Sequence, residues 1–203
     1  MSVVVKICGV RTADDARAAV EAGADLLGLN FVRASPRYVD PDVARQLAAV
    51  VPGTPLVGVF VDAPRDDVTA IAEYVGLAGL QFHGDEDPTY CRGWHRWTIK
   101  ALRAEAGTDV ARRAAAYDTT YVLVDSHVTG VAGGTGVALD VGRIAGVPPA
   151  RLFVAGGLRP ETVEQVVRQV RPHGVDVASG VEQSPGVKDH AKIQEFIRRA
   201  KAA

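Results

Sequence analysis

Short apolar runs alternate with amphipathic stretches about eight times along the chain, and the runs predict strands over 3–7, 25–31, 56–61, 79–83, 96–101, 120–125, 151–155 and 174–178. The first, Val3-Val4-Val5-Lys6-Ile7-Cys8-Gly9, is β-branched and nearly unbroken by polar residues. Such a run reads as a strand covered on both faces, as strands of parallel sheets are. Alternation puts Val4, Lys6 and Cys8 on one side and Val3, Val5 and Ile7 on the other. Between the runs lie helical patterns such as Asp14-Asp15-Ala16-Arg17-Ala18-Ala19-Val20 and Pro160-Glu161-Thr162-Val163-Glu164-Gln165-Val166-Val167. Strands that alternate with helices pair in parallel through right-handed crossovers. The 203 residues leave roughly 25 per unit, enough for a strand, a helix and two short loops. The expected fold is therefore α/β, a single-domain (β/α)8 TIM barrel over residues 1–203. An open doubly wound sheet is the alternative, but no GxGxxG follows the first strand. Pro148-Pro149 reads as a loop before the seventh strand and not as a domain boundary.

Composition narrows the partners. With 47% apolar residues and a net charge of −1, the chain can bury a substantial core and has no basic block to attract nucleic acid or anionic lipid. Its apolar runs are too short to span a bilayer, and its first residues lack the regions of a signal peptide, so a cytoplasmic location is expected. Two cysteines, Cys8 and Cys91, make no disulfide framework, and five scattered histidines show no metal-ligand spacing. No metal site is expected. The outer helix faces leave monomer and homodimer both open.

A barrel concentrates its chemistry at the carboxyl ends of its strands. The first strand ends in Cys8, a position where the positive end of a following helix is expected to acidify the thiol. The second leads into Ser35-Pro36-Arg37, where a guanidinium fork suits a carboxylate or a phosphate. The fourth ends in Gln81-Phe82-His83-Gly84-Asp85-Glu86, with Gln81 and His83 on one face; His83 is a candidate for substrate contact or for a structural hydrogen bond. The sixth ends in Asp125-Ser126, extending Tyr121-Val122-Leu123-Val124, so Asp125 is expected to be a buried acid that keeps a proton to donate. Glycine-bearing turns follow the seventh strand at Gly156-Gly157 and the eighth at Ser179-Gly180, where backbone N–H groups can approach an anion closely. These two turns are the usual phosphate site of such barrels, so a small phosphorylated substrate is expected. Pro160 suits the first turn of the helix that follows. Lys6, if it points inward, needs an anion, and Asp176 on the adjacent eighth strand is the expected partner in a mainly architectural pair. His95, His127, His173 and His190 read as surface or loop residues, and Cys91 as an inert thiol in a short helical connection.

Taken in order, Lys6-Ile7-Cys8-Gly9, Ser35-Pro36-Arg37, Gly58-Val59-Phe60-Val61, Gln81-Phe82-His83-Gly84-Asp85-Glu86, Asp125-Ser126, Gly133-Gly134-Thr135-Gly136, Ala155-Gly156-Gly157-Leu158, Ser179-Gly180-Val181-Glu182 and Pro185-Gly186-Val187-Lys188-Asp189 span nearly the whole chain. In this ordered set the chain resembles the phosphoribosylanthranilate isomerases of tryptophan biosynthesis. It departs from them at Ala178, where a serine is common, and at Leu139-Asp140-Val141, in place of Phe-Asp-Trp. The resemblance implies an Amadori rearrangement of N-(5-phosphoribosyl)anthranilate to 1-(2-carboxyphenylamino)-1-deoxyribulose 5-phosphate. It implies Asp125 as general acid, Cys8 as general base, Arg37 on the anthranilate carboxylate across the mouth from the phosphate, and backbone groups around Gly156, Gly157, Ser179 and Gly180 on the phosphate. No cofactor is implied, because the imine formed on ring opening is itself the electron sink. Three alternatives stay open: a metal-dependent sugar-phosphate epimerase, a phosphate-ligand barrel without activity, and a dual isomerase that also serves histidine biosynthesis.

Overall fold

The computed structural model describes residues 2–105, 107–125 and 144–203. Eight parallel strands close into a barrel in chain order: β1 (Val4–Cys8), β2 (Leu26–Asn30), β3 (Leu56–Phe60), β4 (Gly79–Phe82), β5 (Trp97–Arg103), β6 (Tyr121–Asp125), β7 (Leu152–Ala155) and β8 (Gly174–Val177). The closure is direct, with Val4, Val5, Lys6 and Ile7 of β1 in register with Gly174, Val175, Asp176 and Val177 of β8. An open sheet is thereby excluded. Each strand predicted from the apolar runs is present, with ends that differ by a residue or two.

Six α-helices cover the barrel among the described residues: α1 (Ala13–Glu21), α2 (Pro41–Val50), α3 (Arg65–Val75), α4 (Val110–Ala115), α5 (Pro160–Val170) and α6 (His190–Lys201). Their starts are written in the sequence. Thr12 accepts from the Asp15 N–H at 3.1 Å, Asp189 accepts from the Lys192 N–H at 3.1 Å, and Pro160 opens α5. On α6 the buried face is Ile193, Phe196, Ile197 and Ala200, the spacing of one helical stripe.

One connection departs from the alternation. Cys91 does not lie in a helix: the link from β4 to β5 is a series of turns, pinned where Asp87 accepts from the Tyr90 N–H at 2.7 Å. Pro88 and Gly93 bracket a stretch too short to propagate a helix, and aromatic packing fills the helix's place. Tyr90 and Trp94 each pack on Phe82 with ring centroids 5.3 Å away, and Arg65 lies 3.9 Å over the Trp94 ring. Cys91 is buried, and burial pushes its thiol up to about 11.

Register decides which residues look into the barrel. Laterally paired residues of a parallel sheet share a face, so the inward set of β1 (Val4, Lys6, Cys8) carries over to Leu26, Gly28 and Asn30 of β2, and then to Val57 and Val59 of β3. Farther round it becomes Gln81, Ile99, Leu123 and Asp125. Val57, Ile99, Ala101, Leu123, Phe153 and Ala155 form a dry interior layer. Below it the amino-terminal end is stoppered by rings: Tyr121 lies 5.9 Å from Trp97, 5.3 Å from Phe153 and 4.5 Å from His173. His173 is half-buried there, and burial holds its imidazole below the ordinary histidine range.

Candidate active site

At the opposite, carboxyl-terminal end the interior opens into a cavity of about 420 Å³. Cys8, Arg37, His83, Asp125, Gly156, Gly157, Ser179 and Gly180, the residues singled out in the sequence, all line it. Ser126 and Gly133–Gly136 of the sixth loop lie outside the described residues, as do His127 and Leu139–Val141.

Cys8 is the last residue of β1, buried and facing inward. Its expected acidification by a helix does not occur. Helix α1 begins only at Ala13, and the Thr12 hydroxyl caps it by accepting from the Asp15 N–H. Burial instead pushes the Cys8 thiol up, and the nearby Lys6 and Lys188 ammonium groups pull against that rise without overcoming it. The predicted Lys6–Asp176 contact is present, with Nζ donating to Oδ1 at 2.9 Å.

Asp125 closes β6 on the far side of the mouth, three strands from β1 around the ring. It is not buried as expected, since 25% of its side chain stays exposed. The carboxylate stands at the open rim, not in the dry layer beneath, and Oδ2 lies 3.8 Å from His83 Nε2. On the other ring nitrogen, Gln81 Nε2 stands 3.2 Å from His83 Nδ1, so the shared strand face read for these two residues holds.

His83 in turn rests on a framework in which Glu86, the last residue of its own motif, meets a lysine that no motif included. Glu86 is buried and accepts from the Asp62 N–H at 2.8 Å and the Gly84 N–H at 2.9 Å. Lys100 of β5, equally buried, donates to Glu86 Oε2 and to the Gly84 carbonyl, both at 2.7 Å. One ion pair therefore shapes the loops after β3 and β4 together. The signal lay in the sequence as a lysine inside the apolar run of β5, which demands a buried anion.

Arg37 differs more from expectation. The loop carrying it is shaped locally: Asn30 Oδ1 accepts from the Val32 N–H at 2.8 Å and Ser35 Oγ from the Arg37 N–H at 3.1 Å. The guanidinium is already engaged, with Nε and Nη2 donating to the two oxygens of Glu182 at 2.8 and 2.7 Å. Glu182 opens a small hairpin of β9 (Glu182–Ser184) and β10 (Val187–Lys188), which follows the β8 turn directly. Arg37, from the loop after β2, is thus tied to the hairpin that follows β8. Glu182 also accepts from Lys188 Nζ at 3.1 Å. Burial alone would raise the Glu182 carboxyl, but the Arg37 hydrogen bonds and the Lys188 charge outweigh it and hold the group below the usual carboxylate range.

The glycine turns are built for close approach. Gly156 and Gly157 have φ values of 87° and 68°, in the left-handed region that favours glycine. A Cβ on Gly180 would overlap the Leu158 carbonyl oxygen, so the two turns after β7 and β8 pack backbone against backbone.

The chain is similar to known proteins along nearly its whole length. A family model described as N-(5'phosphoribosyl)anthranilate (PRA) isomerase matches residues 5–199. A protein of Pseudomonas fluorescens (strain Pf0-1) named N-(5'-phosphoribosyl)anthranilate isomerase is 50% identical over 194 residues, covering 95% of each chain. The crystal structure of phosphoribosyl anthranilate isomerase from Thermotoga maritima superposes with a TM-score of 0.89 at 37% identity, covering 99% of this chain and 100% of that one. A structure of phosphoribosyl anthranilate isomerase in complex with reduced 1-(o-carboxyphenylamino)-1-deoxyribulose 5-phosphate matches with a TM-score of 0.86 at 35% identity, covering 99% and 100% of the two chains. Agreement of this extent, in sequence and in backbone alike, leaves one assignment: the chain belongs to the N-(5'-phosphoribosyl)anthranilate isomerase family.

Proposed function

We propose that the chain converts N-(5-phosphoribosyl)anthranilate to 1-(2-carboxyphenylamino)-1-deoxyribulose 5-phosphate, the isomerisation step of tryptophan biosynthesis, with Asp125 as general acid and Cys8 as general base. The observation that carries this reading is that an inward thiol on β1 and a carboxylate on β6 line one cavity whose other flank is the pair of glycine turns. The turns would take the phosphate on backbone N–H groups, and the rim carboxyl would donate to the furanose oxygen. As the ring C–O bond breaks, the anilino nitrogen pushes its lone pair in to form the imine. Cys8 Sγ then takes the proton from C2′, and the electrons of that bond flow to the imine nitrogen. The resulting enolamine tautomerises to the ketone, so no electron acceptor outside the substrate takes part. Holding both ends of the substrate is the positioning contribution.

The groups named here all come from one chain, so the reaction runs in a monomer or a homodimer alike. Two free thiols, Cys8 and Cys91, suit a reducing cytoplasm. Consumption of the phosphoribosyl adduct, followed through its anthranilate-derived fluorescence, tests the reading directly: turnover supports it, and binding without turnover overturns it. Running the phosphoribosyl substrate of histidine biosynthesis in parallel decides between a single and a dual isomerase.

Arg37 enters with half its fork bound to Glu182, so the edge bearing Nη1 would meet the anthranilate carboxylate. Arg37→Ala is expected to raise KM by about 10–100-fold, the worth of one charge-assisted hydrogen bond, with kcat changed less. It also leaves the Glu182 carboxylate facing an anionic substrate with Lys188 as its one cationic partner among the described residues. Steady-state kinetics check this, and an unchanged KM would remove Arg37 from the binding site.

A further inference from the structure

Lys6 is fully enclosed by the barrel. Its ammonium bonds Asp176 Oδ1 at 2.9 Å, and the two residues are register partners. Joining two strands does not require charges, because an apolar pair of similar volume fills such a place without the desolvation cost. The other neighbour of the ammonium supplies a reason. Gly28 of β2 is the register partner of Cys8 and has no side chain. The point its Cβ would occupy is 2.8 Å from Cys8 Sγ and 2.9 Å from Lys6 Nζ. The sulfur and the ammonium therefore share the one gap that this glycine opens in the inner wall, and a methyl group there would push against both.

The surrounding charges point the same way. Lys188 on β10 is buried, donates to the Ala178 carbonyl at 3.0 Å and to Glu182 at 3.1 Å, and acts on Cys8 through its charge. Arg37, from the loop after β2, is clamped to the same Glu182. Lys6, Arg37 and Lys188 thus face two carboxylates, Asp176 and Glu182. This set carries one uncompensated positive charge while the thiol is protonated, and it balances when Cys8 ionises. Asp125 and His83 stand across the mouth. Burial opposes ionisation of the thiol, as does the Asp176 charge, against Lys6 and Lys188. Burial alone would also strip the proton from Lys6, but Asp176 and Cys8 outweigh it and keep the ammonium charged.

We propose that Lys6 is a positioning residue for the isomerisation: its ammonium, tethered by Asp176, seats the Cys8 sulfur beside Gly28 and stabilises it as the thiolate that takes the C2′ proton. This rests on the reading of Cys8 as the base. Lys6 keeps its own proton throughout, so the only transfer at this site is from C2′ to Sγ.

The test measures Cys8 alkylation by iodoacetamide against pH, without substrate, in a Cys91→Ser background. Lys6→Met keeps the length of the side chain and removes its charge. The alkylation midpoint is expected to rise by at least about one pH unit, an approximately tenfold loss of thiolate below the midpoint. Asp176→Asn removes the charge that opposes the thiolate and leaves Cys8 as the anion that compensates the buried Lys6 ammonium, so the midpoint is expected to fall. A bridge that served architecture alone would, when broken from either end, shift both variants the same way or neither, and that result overturns the proposal. Where Lys6→Met does not fold, Asp176→Asn decides alone: a lowered midpoint supports the proposal, and an unchanged or raised one overturns it. Because alkylation needs no substrate, a wrong assignment of the base would show separately, as isomerase activity surviving in Cys8→Ser.

Discussion

Replacing Cys8 by serine is expected to lower kcat by about 10²–10⁴-fold, and Asp125→Asn to do the same, with KM nearly unchanged in both. Each variant keeps the shape of the side chain and removes its proton chemistry. A serine hydroxyl does not ionise in the working pH range, so no base stands opposite C2′. An asparagine carries no proton to give the furanose oxygen, so the ring stays closed. The two substitutions strike successive steps, and trapping experiments should separate them: open-chain species accumulate with Cys8→Ser and not with Asp125→Asn. Stability should hardly change, because Asp125 sits at the rim with 25% of its side chain exposed, and serine is nearly isosteric with cysteine. Steady-state kinetics on folded protein check this. Retention of more than about a tenth of the activity by either variant would remove that residue from proton transfer.

The largest stability effect is expected away from the reacting groups, at Lys100. Lys100→Met leaves the Glu86 carboxylate buried with its backbone N–H partners but without a cation. Stranding one half of a buried ion pair costs about 3–5 kcal/mol, which lowers Tm by roughly 6–20 °C in a domain of this size. Adding Glu86→Gln to Lys100→Met removes the stranded charge, keeps an acceptor for a backbone N–H, and should recover part of the loss. Thermal unfolding of the two single variants and the double variant checks this, and additive losses would mean that the pair is not coupled. Activity should fall alongside, since Glu86 bonds the N–H of Gly84 next to His83.

How much of this was legible in the sequence differs from residue to residue. Strand positions were open to reading because β-branched runs between helical patterns report burial directly, and a parallel barrel then fixes neighbours. The Lys6–Asp176 contact followed from that logic alone. Arg37 was found by its type and its loop, but its carboxylate partner lies 145 residues away on a hairpin that carries no periodic signal. Glu182 and Lys188 were visible only as letters within the motifs Ser179-Gly180-Val181-Glu182 and Pro185-Gly186-Val187-Lys188-Asp189. The Cys8 thiol misled for a different reason: sequence shows that a helix follows, but not how far its first turn stands from the sulfur or that Thr12 caps it at the Asp15 N–H. Asp125 misled because a strand's last residue belongs to the rim as much as to the core. The turns between β4 and β5 misled because aromatic packing replaced the helix without changing the spacing of the strands.

The ring closes between its first and its eighth strand, and the Lys6–Asp176 bond spans 170 residues of chain. During synthesis the lysine therefore emerges from the ribosome long before its counter-ion exists, and β1 stays an unpaired edge on one side until β8 arrives. Long-range pairings of this kind form late and slowly. Nascent chains arrested just before Gly174 should accordingly be cleaved by protease near β1, and chains released after α6 should not; equal resistance in the two would mean that the amino-terminal strands settle without their final partner.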